Sequence, residues 1–203
     1  MPPASLELVD VRPYLPRAVY EIRYATADNF TGKRLYPVAR CFLARAVAER
    51  LRKVHDDLLK RGYRMKIYDG YRPHGVTKRM WALIGDERYV ADPKKGSRHN
   101  RGAAIDLTLC DLRGRELPMP SAFDDFSERA HRDYTNASPE AIHHRRILEE
   151  AMAARGFSGL ATEWWHFDAR GWEHYPIRDV GLGMLARRTR ISRLRPSPRR
   201  PVR

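Results

Sequence analysis

The sequence predicts an α+β domain in which a small, mostly antiparallel sheet is flanked by helices. Two long segments repeat apolar residues at helical spacing, and three shorter segments have the composition and pattern of strands. The chain has 203 residues, of which 42% are hydrophobic. One domain of this size can bury a substantial core, whereas a second independent domain would be cramped.

The first half of the chain supplies one long helix, one strand and one short helix. The long helix is predicted over residues 39–61, where the apolar side chains at helical spacing are Leu43, Val47, Leu51, Val54 and Leu58. Gly62 then provides a stop. Residues 63–68 are predicted to form a strand that ends at Asp69-Gly70-Tyr71-Arg72, and residues 75–84 a shorter helix. Residues 92–96, which include a proline and a glycine, indicate a loop.

The second half supplies two strands and a second long helix. Residues 103–110 alternate, so that Ile105, Leu107 and Leu109 share one face and Asp106 points away from that apolar layer. Residues 139–155 predict a helix with Ser138 as its N-cap and Gly156 after its end. Residues 162–168 predict a strand that carries His166. We expect the sheet to hold a functional site on one face and helices on the other.

Two motifs that lie far apart in the chain together predict a divided metal site. The first runs from Ser97 to Asp106 and includes His99, and the second is Glu163-Trp164-Trp165-His166. Two imidazoles and one carboxylate, His99, His166 and Asp106, are the three-ligand set of a catalytic zinc with an open position. Glu163 is a nearby carboxylate that can take a proton from an activated water, which predicts hydrolysis. The other six histidines are expected to be ordinary surface or core residues.

The spacing within each motif requires a bend in the backbone. Glu163 and His166 are an odd number of residues apart, so a regular strand would place them on opposite faces. Glu163 must therefore lie where the strand begins or on a bulge. His99 and Asp106 also have an odd separation, and they need a turn at Gly102 to converge on one ion.

The residues resemble a known family at this point. The pattern Ser-x-His-x-x-Gly-x-Ala-x-Asp followed by Glu-x-x-His is similar to that of zinc D-alanyl-D-alanine peptidases. The strings at residues 24–32, 69–73 and 163–166 resemble the VanX-type dipeptidase branch, and the resemblance runs from about residue 9 to about residue 176. It implies a D-Ala-D-Ala peptidase/hedgehog-like fold and one Zn²⁺ per chain. It also implies that Arg72 stabilises the negative charge that develops on the scissile carbonyl oxygen.

The resemblance further implies the substrate contacts. Asp124 and the hydroxyl of Tyr24 would hold the free amino group of a dipeptide, while Ser97 and, more loosely, Tyr36 would lie near its carboxylate. Asp124 and the next residue, Asp125, could equally form a solvated acidic turn. The spacing around Tyr36 is shorter than in the family pattern.

The sequence is compatible with three functions of different class. The favoured one is a zinc dipeptidase that hydrolyses D-alanyl-D-alanine in the cytoplasm. The alternative keeps the fold and metal but acts as a D,D-carboxypeptidase or endopeptidase on peptidoglycan peptides. A third, a zinc-containing binding module without catalysis, is disfavoured because Glu163 and Arg72 are not needed to hold a metal. The sequence leaves the oligomeric state open.

Charge and cysteine content limit the partners and the compartment. Residues 187–203 contain eight arginines and no acidic residue, so that of the net charge of +14 the remaining chain carries +6 (14 minus 8). We expect residues 1–186 to form the catalytic domain and residues 187–203 to form a disordered tail that serves as a solubilising extension. The alternative is that the tail binds anionic surfaces weakly, without specific recognition of nucleic acid. Only Cys41 and Cys110 are present, which excludes a dense disulfide framework and a cysteine-rich metal site. A single disulfide is compatible with this count, although nothing else in the sequence indicates one. The start of the chain lacks an apolar leader, which predicts a cytoplasmic location.

Overall fold

The computed structural model describes residues 6–87 and 89–194 of the chain, with side chains up to residue 189. Within these residues the helices are α1 (Arg45–Lys60), α2 (His74–Ile84), α3 (Pro139–Ala154) and α4 (Leu182–Leu194). The strands are β1 (Leu8–Asp10), β2 (Val19–Tyr20), β3 (Phe42–Ala44), β4 (Arg64–Asp69), β5 (Ala104–Cys110), β6 (Phe157–Leu160) and β7 (Glu163–Ala169).

The main sheet has five strands in the order β2-β4-β5-β7-β6. The edge pair β2–β4 is parallel, and the other three pairs are antiparallel. The strands β1 and β3 form a separate antiparallel pair. Helices α1 and α3 pack against the main sheet and against each other. The predicted α+β architecture with a mostly antiparallel sheet is confirmed.

The central strand β5 has the predicted alternation. Ile105, Leu107 and Leu109 lie in the hydrophobic core, and Asp106 belongs to the opposite face. All seven residues of β5 are nevertheless buried. Asp106 is only 3% exposed, so a carboxylate in the middle of the sheet needs partners that compensate for its lost hydration.

Most predicted elements agree with the structure to within a residue or two, but the first helix begins later than expected. Residues 42–44 form β3, in which Phe42 pairs with Asp10 of β1, and α1 begins only at Arg45. Leu43 is therefore a fully buried strand residue, although its spacing from Val47 matches a helix. A separation of four residues corresponds to about one turn of a helix and also to two repeats of a strand. The spacing of Leu43 from Val47 therefore does not distinguish a helix from a short strand that precedes it.

The C-terminal segment also differs from the expectation in part. Residues 187–194 belong to α4, which is anchored by the buried side chains of Leu182 and Leu185. The predicted disordered tail therefore starts in a helix, because the apolar residues that precede residue 187 pack on the core and the helix continues past them. The rest of the tail, residues 195–203, lies outside the described residues. Among the described helices, none is long and apolar enough to cross a membrane.

Candidate metal centre and active site

The turn that carries His99 depends on Gly102. His99–Arg101 forms a single 3-10 turn, and Gly102 ends it with a φ of +66°, a conformation that favours glycine. A Cβ at this position would lie 2.6 Å from Cδ2 of Leu8 and 3.0 Å from the backbone nitrogen of Ala44, so a side chain is excluded sterically as well. The bend that the sequence required is therefore present, and it places His99 beside the start of β5.

Strand pairing brings the other two predicted ligands together. Asp106 of β5 is directly opposite His166 of β7. The distance from Asp106 Oδ1 to His166 Nδ1 is 3.0 Å, and His99 Nε2 lies 3.1 Å from His166 Nδ1 and 3.4 Å from Asp106 Oδ2. The three side chains are buried, and their potential ligand atoms all lie within 4.8 Å of one another.

The outer ring nitrogens of both histidines have acceptors that determine the tautomer. His99 Nδ1 is 2.7 Å from the carbonyl oxygen of Gly70, and His166 Nε2 is 3.0 Å from Asp168 Oδ1. If each outer nitrogen donates its proton, the inner nitrogens turn lone pairs toward each other and toward Asp106. Such a cluster of three electron-pair donors fits a divalent cation, and the histidine and carboxylate ligands fit zinc.

The electrostatics of the ligand set point the same way. Burial alone would raise the pKa of Asp106, but His99 and His166 hold it well below its usual range. Burial likewise opposes a charged His166, yet the hydrogen bonds to Asp106 and Asp168 raise its pKa to about 10, so that a proton on Nδ1 and a metal ion would compete for the same position. The site therefore stabilises positive charge at the position where the ring nitrogens and the carboxylate meet.

Glu163 lies at the start of β7, next to an irregularity in the β6–β7 hairpin. Leu160 pairs with Glu163, whereas the adjacent Gly159 pairs with Phe167. This register shift satisfies the predicted need for a bend. Glu163 Oε2 lies 3.9 Å from His166 Nδ1, outside the ligand cluster, and burial raises the pKa of the carboxyl group. A carboxylate beside the metal position but not in the ligand set can act as a proton acceptor.

Arg72 is held by a buried carboxylate that the sequence did not single out. Its Nε and Nη2 donate to Asp69 Oδ2 at 3.1 and 2.8 Å, and the hydroxyl of Tyr36 donates to Asp69 Oδ1 at 2.8 Å. Asp69 is 1% exposed and Arg72 is 9% exposed. The guanidinium carbon also lies 5.0 Å from the ring centroid of Tyr24. Arg72 thus reaches the site with its orientation determined by Asp69 and Tyr24.

Tyr24 connects Arg72 to Asp124. The Tyr24 hydroxyl donates to Asp124 at 3.1 and 3.2 Å from the two carboxylate oxygens. Asp124 has a φ of +59°, the one positive value among the described non-glycine residues, and such strain is often found at functional positions. Burial, reinforced by the negative charges of Asp106 and Glu163, raises the pKa of Asp124 well above its usual range. This carboxylate has a strong electrostatic preference for a cationic partner.

These side chains line one cavity of about 770 Å³. Its wall includes the three candidate metal ligands, together with Tyr24, Arg72, Ser97, Asp124 and Glu163. Tyr36 does not, because its side chain is buried behind Arg72. Of the two adjacent tryptophans, Trp165 lines the cavity, whereas the indole nitrogen of Trp164 donates to Ser121 Oγ inside the core at 2.9 Å.

Asp69 and Asp168 are the site residues that sequence reasoning missed. A signal existed for Asp168, since it follows His166 by two residues on a strand and therefore shares its face. Asp69 belongs to the motif at residues 69–73, in which the family resemblance implies a role for Arg72 only. The contacts of Asp69 with Arg72 and of Asp168 with His166 result from the tertiary structure.

The chain is similar to curated proteins over most of its length. The chain is 40% identical over 173 residues to a D-alanyl-D-alanine dipeptidase of Escherichia coli, which covers 85% of this chain and 90% of that protein. It is 35% identical over 178 residues to a D-alanyl-D-alanine dipeptidase of Enterococcus faecium, covering 77% of this chain and 88% of that protein.

Among solved structures, the chain is similar to a mutant of the vancomycin resistance D,D-pentapeptidase VanY in complex with Zn(II). The TM-score is 0.43 at 16% identity, with 84% of this chain and 90% of that chain covered. The D-ala-D-ala dipeptidase profile of peptidase family M15 matches residues 4–178. With that match over most of its length and relatives at 35–40% identity, the chain belongs to the D-Ala-D-Ala dipeptidase family of peptidases.

Proposed function

We propose that the protein is a zinc-dependent dipeptidase that hydrolyses D-alanyl-D-alanine to two molecules of D-alanine, with one zinc ion per chain. The observation that carries the proposal is the convergence of a three-ligand set, a carboxylate outside that set and a buried guanidinium on one cavity. A metal site that served only to stabilise the fold would have four protein ligands and no need for the other two groups. The curated relatives named D-alanyl-D-alanine dipeptidase support the choice of substrate.

The residues of the chain divide the chemistry between them. A zinc ion bound by His99, Asp106 and His166 would supply an activated water and polarise the peptide carbonyl. Glu163, with its Oε2 only 3.9 Å from His166 Nδ1, accepts the proton of the attacking water and transfers it to the departing amine. Arg72 stabilises the carbonyl oxygen as negative charge grows on it, since its guanidinium is prepositioned by Asp69.

Asp124 and Tyr24 are assigned to the free amino group of the substrate. A buried carboxylate with a raised pKa gains a charge-assisted hydrogen bond when an ammonium group enters. Because Tyr24 contacts both Asp124 and Arg72, the ammonium site lies one tyrosine side chain away from the group that stabilises the carbonyl. That close spacing suits a dipeptide, in which the α-amino group and the scissile carbonyl belong to the same residue.

Ser97 remains assigned to the substrate carboxylate, since it is part of the cavity wall. Its Oγ accepts a hydrogen bond from the backbone nitrogen of His99 at 3.2 Å, which leaves the hydroxyl proton available to a ligand. The position of Tyr36 favours a different role, support of the Asp69–Arg72 pair. The cytoplasmic location and weak binding of the basic tail to anionic surfaces stay predictions from the sequence.

The test is hydrolysis by zinc-loaded protein of D-Ala-D-Ala, L-Ala-L-Ala, N-acetyl-D-Ala-D-Ala and a pentapeptide that ends in D-Ala-D-Ala, with released alanine as the readout. The proposal expects rapid cleavage of D-Ala-D-Ala alone. Glu163→Gln at equal zinc content is the matched control, because it keeps the shape of the side chain and removes the base. Release of D-alanine from the pentapeptide at a comparable kcat/KM would favour the carboxypeptidase alternative.

A further inference from the structure

The irregular part of the β6–β7 hairpin lies directly between Glu163 and His166. Gly159 pairs with Phe167 and Leu160 pairs with Glu163, so one step along β6 corresponds to four steps along β7. Residues 164–166 consequently have no ladder partner on β6. Backbone carbonyls that are withdrawn from both water and the ladder require another donor.

Arg132 supplies the missing donors. Its Nη2 donates to the carbonyl oxygens of Trp164 and His166 at 3.0 and 2.7 Å, and its Nε donates to the carbonyl oxygen of Leu160 at 2.9 Å. Its backbone nitrogen donates to the carbonyl oxygen of Ala161 at 2.9 Å. One residue therefore binds both sides of the irregular segment and the turn that joins them.

Packing holds the guanidinium in this position. Its carbon lies 4.3 Å from the ring centroid of Phe167, and the side chain is only 11% exposed. Glu149 of α3 places a carboxylate oxygen 3.5 Å from Nη1. Space for the group exists because residue 159 is glycine: a Cβ there would lie 2.1 Å from the guanidinium carbon of Arg132.

We propose that Arg132 is a positioning residue for Glu163, an inference that rests on the proposed function of Glu163 as the base. The two ends of the irregular segment differ in how they are held. His166 also pairs with Asp106 of β5, whereas Glu163 has its ladder pairing with Leu160 of β6. Loss of the guanidinium therefore frees Glu163 more than it frees the metal ligand, and affects turnover more than metal binding.

The experiment compares Arg132→Met with Arg50→Met as a matched control. Arg50 donates to the carbonyl oxygens of Gly156 and Arg170 at 3.1 and 3.2 Å, at the opposite end of the same hairpin. We expect Arg132→Met to lower kcat for D-Ala-D-Ala by about 10²-fold, the low end of the contribution of an acid–base group, with zinc content and KM nearly unchanged. Amide hydrogen exchange in residues 160–166 should become faster in this variant. Arg50→Met should leave kcat and the exchange of that segment unaltered.

A double-mutant cycle separates positioning from a general effect on the fold. In a Glu163→Gln background, Arg132→Met should cause little further loss of kcat, because the group that it positions is already absent. An equal loss in both backgrounds would overturn the proposal. If Arg132→Met does not fold, kcat of Gly159→Ala tests the same proposal, because the added methyl group displaces the Arg132 guanidinium from the hairpin. Normal kcat in Gly159→Ala would then refute the role of Arg132.

The hydrogen-exchange measurement is independent of activity. If the unaltered protein does not hydrolyse D-Ala-D-Ala, the proposed function fails. Faster exchange in residues 160–166 of the folded Arg132 or Gly159 variant would still support the conclusion that Arg132 holds the irregular segment of the hairpin. Unchanged exchange in that segment would contradict this role of Arg132 even if the enzyme is active.

Discussion

Substitution of Tyr36 by phenylalanine distinguishes two roles for this residue. The family resemblance implied a position near the substrate carboxylate, whereas in the structure the Tyr36 hydroxyl donates to Asp69 Oδ1 at 2.8 Å behind Arg72. If Tyr36 contacts the substrate carboxylate, its substitution weakens substrate binding and mainly raises KM. Loss of a support for Arg72 would instead lower kcat, because the charge that Arg72 stabilises appears mostly in the transition state.

The size of the expected fall in kcat and in stability follows from the hydrogen bonds that Tyr36→Phe removes and from those that it leaves intact. Tyr36→Phe leaves both Arg72 bonds to Asp69 Oδ2 intact, so we expect kcat to fall by no more than about tenfold, or about 1.4 kcal/mol. Asp69 Oδ1 loses its donor in a buried position, which typically costs about 1–3 kcal/mol of stability. In a protein of this size each kcal/mol corresponds to about 2–4 °C in Tm, so a clear drop in Tm should accompany the drop in kcat.

Steady-state kinetics on D-Ala-D-Ala, thermal unfolding and zinc analysis test this reasoning together. Tyr20→Phe is the control, because its hydroxyl donates to the carbonyl oxygen of Leu15 at 3.0 Å and the residue does not line the cavity. It should lower Tm modestly and leave kcat unchanged. A rise in KM with normal kcat in Tyr36→Phe would refute the supporting role and restore the contact with the substrate carboxylate.

Four further outcomes are expected. Asp106→Ala should lose most bound zinc, because a three-ligand set has no spare ligand; full zinc content by elemental analysis would remove Asp106 from the set. Glu163→Gln should retain zinc and lose about 10²- to 10⁴-fold in kcat, and near-normal turnover would contradict its role as base. The folded-state pKa of Asp124 lies above its unfolded value, so the cost of its burial is absent below about pH 4 and grows as pH rises toward the folded pKa. Asp124→Asn should therefore raise Tm at pH 7 but not at pH 3. The same substitution should abolish the preference of the enzyme for D-Ala-D-Ala over its N-acetyl derivative. An unchanged preference would exclude Asp124 from recognition of the substrate amine. Removal of residues 195–203 should leave kcat and KM unchanged, since the family match ends at residue 178, and loss of activity in folded protein would show that the domain extends further.

Elements that depend on local patterns could be predicted from the sequence alone. Ser138 is the predicted N-cap, and its Oγ accepts a hydrogen bond from the backbone nitrogen of Ala141 at 3.2 Å. The alternation in residues 103–110 placed Asp106 on the face opposite Ile105, since side-chain direction in a strand follows from position alone. The odd spacings at His99 and Glu163 even indicated that bends were needed, because the period of a strand is fixed.

Contacts between residues that are distant in sequence could not be predicted and are known only from the three-dimensional structure. The register that sets Asp106 opposite His166, the burial of Asp69 between Tyr36 and Arg72, and the insertion of Arg132 into the hairpin all join segments that have no local relation. Helical and strand periods specify the face on which a residue lies but not its partner across a sheet or in a loop. Those partners result from the packing of the whole core, which is why the three candidate metal ligands could be proposed from their motifs while the groups that orient them could not.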